Sequence, residues 1–183
     1  MDLETFETER LFLKKLTPAE LGYIYENYSR DDIIKILGIH SDDEFIEEEN
    51  KYKGGYATYN RSFVYFQLIE KASHEIIGGG GLHNWFPAHS RAELGYALDD
   101  DKHKDKGFMT EAISFFIGYG FEIMKLHRIE AFIGPSNIAS LKLVAKHNFV
   151  KEGQLRQHYF KEGSFEDSVV FSLLREDYLR AGS

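Results

Sequence analysis

The chain of 183 residues contains no cysteine, only three prolines and a single tryptophan. Without cysteine it can form no disulfide and no thiolate metal site, which fits a reducing compartment, so we expect a cytoplasmic protein. No apolar run approaches the ~20 residues that a membrane helix needs. The opening residues MDLETFETER also lack the hydrophobic run of a signal peptide. We therefore expect no contact with a membrane.

Positive charge is in the minority as well. Lys and Arg number 22 against 30 Asp and Glu, which gives a formal net charge of −8 at pH 7. Proteins that track nucleic acid usually carry a basic face, so we expect no nucleic-acid partner. The acidic balance would suit a cationic partner such as an amine or a basic protein tail. None of the eight histidines has a close ligand spacing such as His-Glu-x-x-His, so we predict no metal site.

What the chain does contain indicates one globular domain, and we take residues 1–183 as that domain. Hydrophobic residues make up 43% of the chain and aromatic residues 15%. Alternating and β-branched runs predict strands over 8–16, 63–69, from 75, and over 91–98, 128–133, 153–160 and 167–174. Capping signals and helical periodicity predict helices over 17–28, 31–39, from 41 into the fifties, 108–124 and 137–147, and a short C-terminal helix. Periodicity alone therefore supports a mixed α/β domain.

Residues 93–153 are the most informative segment. The strand Glu-Leu-Gly-Tyr-Ala-Leu at 93–98 leads into a basic turn with Gly107 and an apolar helix that contains Thr-Glu-Ala at 110–112. A second strand follows, and Asn-x-x-Ser at 137–140 opens the next helix. Unpaired N–H groups at a helix N-terminus favour phosphate. The segment resembles the Gcn5-related N-acetyltransferase (GNAT) family, and most closely its ribosomal-protein N-terminal acetyltransferase (RimJ/RimL-like) branch.

The resemblance implies a fold in which about seven strands form one mixed sheet flanked by helices. The fourth and fifth predicted strands (91–98 and 128–133) would splay apart and receive acetyl-CoA, which serves as co-substrate. A bulge at Gly95 would free an N–H group for the thioester carbonyl, although a simple packing glycine is an equal alternative. The resemblance implies coenzyme contacts by Leu94, Gly95, Tyr96, Lys102, Lys104, Asp105, Lys106, Gly107, Phe108, Met109, Thr110, Asn137 and Ser140.

Asp105 departs from the family pattern, because the family has glycine at this position of its diphosphate-binding loop. Its carboxylate would oppose a diphosphate unless it faces away or is offset by Lys104 and Lys106. Aspartate tolerates left-handed backbone angles better than most residues, so its N–H group could still face phosphate. A solvated Lys/Asp-rich turn that caps the helix is the alternative.

Catalysis of acyl transfer to an amine needs a base for the ammonium proton and a proton for the departing thiolate. Glu93 is our candidate base, with a structural ion pair as the alternative. In the family pattern Asn137 hydrogen-bonds the pantetheine arm and Ser140 lies near the sulfur as proton donor, although both residue types are also preferred helix caps. Tyr159 is a rival proton donor.

The resemblance thus implies an N-acetyltransferase that moves the acetyl group of acetyl-CoA to a primary amine, with a protein or peptide N-terminal amine as the first choice. One alternative is a catalytically weak acyl-CoA-binding or sensor module, which Asp105 motivates. Another is a small-molecule enzyme for polyamines or aminoglycosides. Because the family often forms dimers, a homodimer is also an expectation.

Overall fold

The computed structural model describes residues 2–56, 61–161 and 163–181. Its strands are β1 (Thr5–Glu7), β2 (Leu11–Leu16), β3 (Ser62–Glu70), β4 (Ile76–Phe86), β5 (Arg91–Leu98), β6 (Arg128–Ile133), β7 (Val150–Lys161) and β8 (Ser164–Leu174). Its helices are α1 (Pro18–Asn27), α2 (Arg30–Leu37), α3 (Asp42–Gly54), α4 (Phe108–Gly118), α5 (Ile138–Lys146) and α6 (Arg175–Ala181). The described residues include no helix with both the length and the apolar character needed to cross a bilayer.

All eight strands form one mixed sheet in the order β1-β2-β3-β4-β5-β6-β8-β7, so the predicted α/β class with a flanked mixed sheet is confirmed. There is one strand more than the seven expected. The additional strand is β1, which has three residues and pairs antiparallel with β2 at the sheet edge. Such a short segment carries too little alternation to be recognised as a strand from its sequence.

Two of the three helices between β2 and β3 begin at their predicted caps, Thr17 and Ser41, whereas the helix predicted over 31–39 runs over Arg30–Leu37. Thr17 and Glu20 form a reciprocal capping box with Pro18 in the first turn, and the hydroxyls of Ser29 and Ser41 cap α2 and α3. These helices cover one face of β2–β4. Their apolar side chains bury a small core there, formed by Leu16, Leu21, Ile24, Ile33, Ile39 and Phe45.

Helix α4 packs on the opposite face of the sheet, where the main core lies. The rings of Phe66 on β3 and Phe116 on α4 stack with centroids 5.5 Å apart, and both side chains are fully buried. Phe6 from β1 meets Phe66 edge to face at 6.0 Å. This packing fixes α4 against the sheet and therefore fixes the position of its N-terminus.

The predicted splaying of the fourth and fifth expected strands, which are β5 and β6, is confirmed. The two strands are parallel neighbours over three pairs only, and the last of these joins Glu93 to Glu130. Beyond it, β5 remains paired with β4 and β6 remains paired with β8, so a gap opens between them. The pairing of β5 with β4 runs unbroken through Gly95. The register shift between these two strands lies farther along, between His83 and Phe86 of β4.

Candidate active site

Glu93 lies at the last β5–β6 pair, where the gap begins, and it is 8% exposed. Asn84 Nδ2 donates to Glu93 Oε2 at 2.9 Å, and His83 Nε2 lies 3.2 Å from Glu93 Oε1. Burial by itself would raise the pKa of Glu93. The hydrogen bond and charge of His83, with the Asn84 amide, outweigh burial and lower that pKa from its usual 4.5. Glu93 is therefore a carboxylate at neutral pH.

The sequence analysis did not identify His83 and Asn84. His83 faces Glu93 directly across the β4–β5 ladder. Asn84 has a left-handed backbone (φ 45°) inside the irregular stretch of β4, and its amide reaches the same carboxylate. A left-handed non-glycine residue in a strand indicates a locally specified conformation. The linear sequence offers no signal for it, because neither the register nor the bulge can be read from neighbouring letters.

Tyr159 reaches the Glu93 side chain through an irregularity in β7. The β7–β8 register shifts between Leu155 and Tyr159, and the Gln157 N–H, in a left-handed conformation, donates to Asp167 Oδ1 at 2.8 Å. Burial and the adjacent Glu93 carboxylate raise the pKa of Tyr159 above its usual 10.0. The structure therefore brings together two of the three predicted catalytic residues, with Tyr159 holding its proton at neutral pH.

Ser140, the third of those residues, lies on the other side of β5 with Tyr96. Side chains alternate along a strand, so Tyr96 points away from the face that carries Glu93. The Tyr96 hydroxyl is buried and has no hydrogen bond of acceptable geometry within the described residues. Burial raises the pKa of Tyr96, and the nearby Ser140 hydroxyl partly offsets that rise.

Asn137 is the N-cap of α5, because its Oδ1 accepts from Ser140 N at 3.1 Å. The helix cap was one of the two roles that the sequence left open for Asn137.

The predicted coenzyme loop, residues 102–107, ends in an open helix N-terminus. Asp105 and Gly107 both have left-handed backbones, with φ of 58° and 81°. Gly107 is the N-cap of α4 and offers no side-chain cap, so the first amides of the helix, those of Phe108, Met109 and Thr110, have no helical partner. The side chains of Phe108 and Met109 are buried in the core. These two residues can therefore contact a ligand only through their backbones.

Two of the three loop lysines, Lys102 and Lys104, already have acidic neighbours. Lys102 Nζ lies 3.6 Å from Glu75 and 3.8 Å from Asp100, and Lys104 pairs with Asp101. All of these pairs are exposed at the surface and contribute little to stability. The Asp105 side chain is exposed as well.

Arg10 supplies a further cation at the start of α4, and the sequence analysis missed it. Its Nη1 donates to the Lys106 carbonyl at 2.8 Å, its Nε pairs with Glu111 at 2.8 Å, and its guanidinium lies 4.7 Å from the centroid of the Phe108 ring. Glu111, from the Thr-Glu-Ala motif, also accepts from Thr8 Oγ1 at 2.6 Å and from Arg10 N at 2.7 Å. The chain segment before β2 is thereby attached to the coenzyme loop.

A cavity of about 720 Å³ lies on the face covered by α1–α3, with His83 in its lining. Its floor contains Gly79, Gly81 and Gly95, which fall on the same face of neighbouring strands. A Cβ atom on Gly79 would lie 1.8 Å from the Tyr65 hydroxyl, and one on Gly95 would lie 2.7 Å from His83 Cε1. The missing side chains therefore make room for the rings of Tyr65 and His83. His83 lines the cavity and contacts Glu93, which connects the two.

Replacing Gly95 by Ala should disturb the candidate site more than it disturbs the fold. The new methyl group would push the His83 ring away from Glu93. We expect kcat/KM for the acetyl transfer that the resemblance implies to fall about tenfold or more, since a misplaced catalytic group can cost ~10²-fold. Steady-state kinetics would measure the change. Gly153→Ala in β7 is the matched control, because nothing lies within 4 Å of its added methyl group. Equal activity of the two variants would contradict a role for the His83 position.

Comparison with known proteins agrees with this geometry. The acetyltransferase (GNAT) domain family matches residues 10–150. The uncharacterized N-acetyltransferase p20 of Bacillus licheniformis is 33% identical over 183 residues, covering 96% of this chain and 99% of that protein. The spermidine N(1)-acetyltransferase of Vibrio cholerae is 27% identical over 93% of this chain and 96% of its own length.

Among solved structures, ribosomal-protein-S5-alanine acetyltransferase from Vibrio fischeri superimposes with a TM-score of 0.67 and 26% identity, covering 96% of this chain and 98% of that one. The family match spans well over half of the chain, and its residues include β5, the coenzyme loop, α4 and α5. The chain therefore belongs to the acetyltransferase (GNAT) family and is an N-acetyltransferase.

Proposed function

We propose that this enzyme acetylates a primary amine of an acceptor bound beside Glu93, and that the acceptor is the N-terminal amine of a protein or peptide. The observation that carries the proposal is the group formed by Glu93, His83 and Tyr159 at the point where β5 and β6 separate. The acceptor would approach through the glycine-floored cavity. The structurally similar ribosomal-protein-S5-alanine acetyltransferase supports this acceptor class.

Acetyl-CoA is the co-substrate of the family, and the described residues fit its diphosphate. The uncapped amides of Phe108, Met109 and Thr110 offer three donors at the positive end of α4, and Arg10 adds a guanidinium beside them. The gap between β5 and β6 would take the pantetheine arm along the edge formed by Leu94, Gly95 and Tyr96. Asn137 would contribute its side-chain amide across that gap, and Ser140 would lie near the sulfur.

Acetyl-CoA supplies an activated acyl group as a thioester, and the residues of this chain manage the protons. The acceptor ammonium would lose its proton to the pair formed by His83 and Glu93. A carboxylate with a lowered pKa is a weak base by itself, but it holds and polarises an imidazole well. Tyr159 and Ser140 are the two candidates to protonate the leaving thiolate, and the raised pKa of Tyr159 keeps its proton available.

The choice of acceptor rests on ionisation and on the relatives. An α-amine has a pKa of about 8 and a lysine side chain about 10.4, so the α-amine is the easier nucleophile at neutral pH. A polyamine is the second candidate, because the Vibrio cholerae relative acts on spermidine and acidic side chains line part of the cavity.

Release of free thiol from acetyl-CoA tests the proposal directly. Purified protein should release thiol with a peptide that begins with a free alanine amine, and should release none with the same peptide blocked by N-acetylation. Spermidine in a parallel reaction decides between the two candidate acceptors. Absence of turnover with every free amine in a broad panel, despite binding of CoA, would overturn the proposal.

Removing the Asp105 charge should strengthen CoA binding. Its exposed carboxylate lies in the loop that we propose for the diphosphate, and like charges in partly aqueous surroundings repel by about 1 kcal/mol or more. We expect the Kd of CoA, measured by calorimetry, to fall several-fold in Asp105→Asn. Asp105→Gly should show a similar fall, because glycine also adopts the left-handed backbone. An unchanged Kd in both variants would mean that the carboxylate points away from the bound diphosphate.

Three expectations from the sequence stay predictions. We propose that residues 1–183 act as a single domain, that the protein works in the cytoplasm, and that it forms a homodimer. Sedimentation analysis measures the last of these.

A further inference from the structure

The end of the cavity away from Glu93 is surrounded by acidic groups. Glu44 and Glu48 on α3 line it, and Asp99 follows β5 two positions beyond Ala97, which also lines it. Burial and the charges of Asp99, Glu48 and Glu44 raise the pKa of the Tyr65 hydroxyl, which lies over Gly79. Tyr65 keeps 39% of its surface exposed, so its burial is partial and the ring still borders the cavity. All three carboxylates are therefore close enough to influence the Tyr65 hydroxyl.

Only part of this negative charge is neutralised within the described residues. Lys51 pairs with Glu48, and His40 Nε2 lies 4.0 Å from Asp99 Oδ2. Glu44 accepts from the backbone N–H of His40 at 2.7 Å, which adds a donor but no charge. The three carboxylates therefore retain a net negative charge at this end of the cavity.

A second observation at the same cavity also indicates a missing donor. Gln67 lines the cavity and is 2% exposed. Its Nε2 donates to the Ile36 carbonyl at 3.0 Å, which fixes the orientation of the amide. Its Oε1 is buried and has no hydrogen-bond partner within the described residues. A buried, unpaired acceptor is costly unless an ordered water or a ligand supplies a donor, and an ammonium group of a ligand can take that place.

We propose that this end of the cavity binds a second cationic group of the acceptor, so that the enzyme prefers amines which carry another ammonium or guanidinium group. This inference rests on the proposed function. Gln67 Oε1 and the carboxylates of Glu44, Glu48 and Asp99 offer acceptors only. A cationic donor such as an ammonium group satisfies both the remaining charge and the hydrogen bonds, whereas a monoamine leaves the remaining negative charge and Gln67 Oε1 without a partner.

The strand geometry gives the spacing between the two amines. Gly79, which the Tyr65 hydroxyl overlies, pairs with Ala97, two residues along β5 from Gly95. Asp99 lies four residues from Gly95. At a rise of ~3.3 Å per residue, the second cation would lie about 7–13 Å from the amine that reacts beside Gly95. A short diamine, a polyamine or a peptide with an early basic residue would each span that distance.

The experiment compares acceptors that differ only in the second charge. We expect kcat/KM for 1,5-diaminopentane to exceed that for 1-aminopentane about tenfold after the statistical factor of two is removed. In the double variant Glu48→Gln, Asp99→Asn the corrected ratio should fall to near one. Glu47→Gln, on the exposed side of the same helix, should keep the full ratio. Two peptides that differ only in lysine or norleucine at the third position test whether a peptide can supply the second charge. Preference for the lysine peptide indicates a basic peptide as its source, and equal rates indicate a free polyamine.

The outcomes are distinguishable from failure of the proposed function. Turnover of both pentylamines with a ratio near one in the unaltered protein would overturn the second site and leave the acetyltransferase proposal intact. A tenfold ratio that survives the double variant would also overturn it. If no amine is turned over, calorimetry of the two pentylamines with CoA present decides the question. Tighter binding of the diamine supports the site, and equal binding rejects it.

Discussion

Glu93→Gln is expected to lower kcat/KM for acetyl transfer by about 10²–10⁴-fold, the usual contribution of a positioned acid–base group. Glutamine keeps the shape and can still accept from Asn84, but it lacks the negative charge that would stabilise the imidazolium of His83 in the proposed proton transfer. The Kd of CoA should stay within about twofold, because Glu93 points to the opposite face of β5 from Tyr96. Steady-state kinetics and calorimetry on the same preparation measure both quantities.

A double-mutant cycle with His83→Ala tests whether the two side chains act as one unit. If they do, the double variant should be about as slow as the slower single variant, since groups that act together are strongly non-additive. Additive losses would mean that the residues contribute separately. A loss below about threefold in Glu93→Gln would instead make Glu93 a structural carboxylate, the alternative that its sequence left open.

Glu111→Ala is expected to lower the free energy of unfolding by about 1–2 kcal/mol, because it leaves the half-buried donors of Thr8 and Arg10 without their carboxylate acceptor. The midpoint of urea unfolding measures the change. CoA binding should weaken several-fold as well, since Glu111 orients the guanidinium beside the start of α4. Glu26→Ala, at an exposed position on α1, is the control and should change neither quantity. A fully stable Glu111→Ala would contradict the attachment of this segment to α4.

The pH dependence of stability gives a separate check on Glu111. Burial by itself would raise the pKa of Glu111, but the hydrogen bonds from Thr8 and Arg10 outweigh it and lower that pKa. A carboxyl whose pKa is lower in the folded state stabilises the protein above its unfolded pKa of about 4.3 and loses that contribution as the pH falls below it. Glu111→Gln should therefore be less stable than the original protein near neutral pH, and the difference should shrink toward pH 3. A constant difference would contradict the ionised hydrogen-bonded state.

The sequence predicted those features that are encoded within a few neighbouring residues. The helix caps at Thr17 and Ser41 depend on adjacent residues, and both are present in the structure. The separation of β5 and β6 followed from resemblance to a family, because no local pattern states where two strands stop pairing.

The contacts that the sequence could not reveal join distant residues. Arg10 and Glu111 are 101 positions apart, and they meet only because β1, β2 and α4 pack together. His83 reaches Glu93 through the β4–β5 register, and a one-residue slip would turn it to the other face. The bulges at Asn84 and Gln157, which bring further groups to the site, are likewise products of strand pairing.

A crystal structure of the complex with CoA tests the central claim most directly. We predict diphosphate oxygens within hydrogen-bond distance of the amides of Phe108–Thr110, and a pantetheine arm lying between β5 and β6 beyond the Glu93–Glu130 pair. The sulfur should then lie at the edge of the site that holds Glu93 and Tyr159. CoA bound elsewhere, with β5 and β6 paired along their whole length, would contradict it.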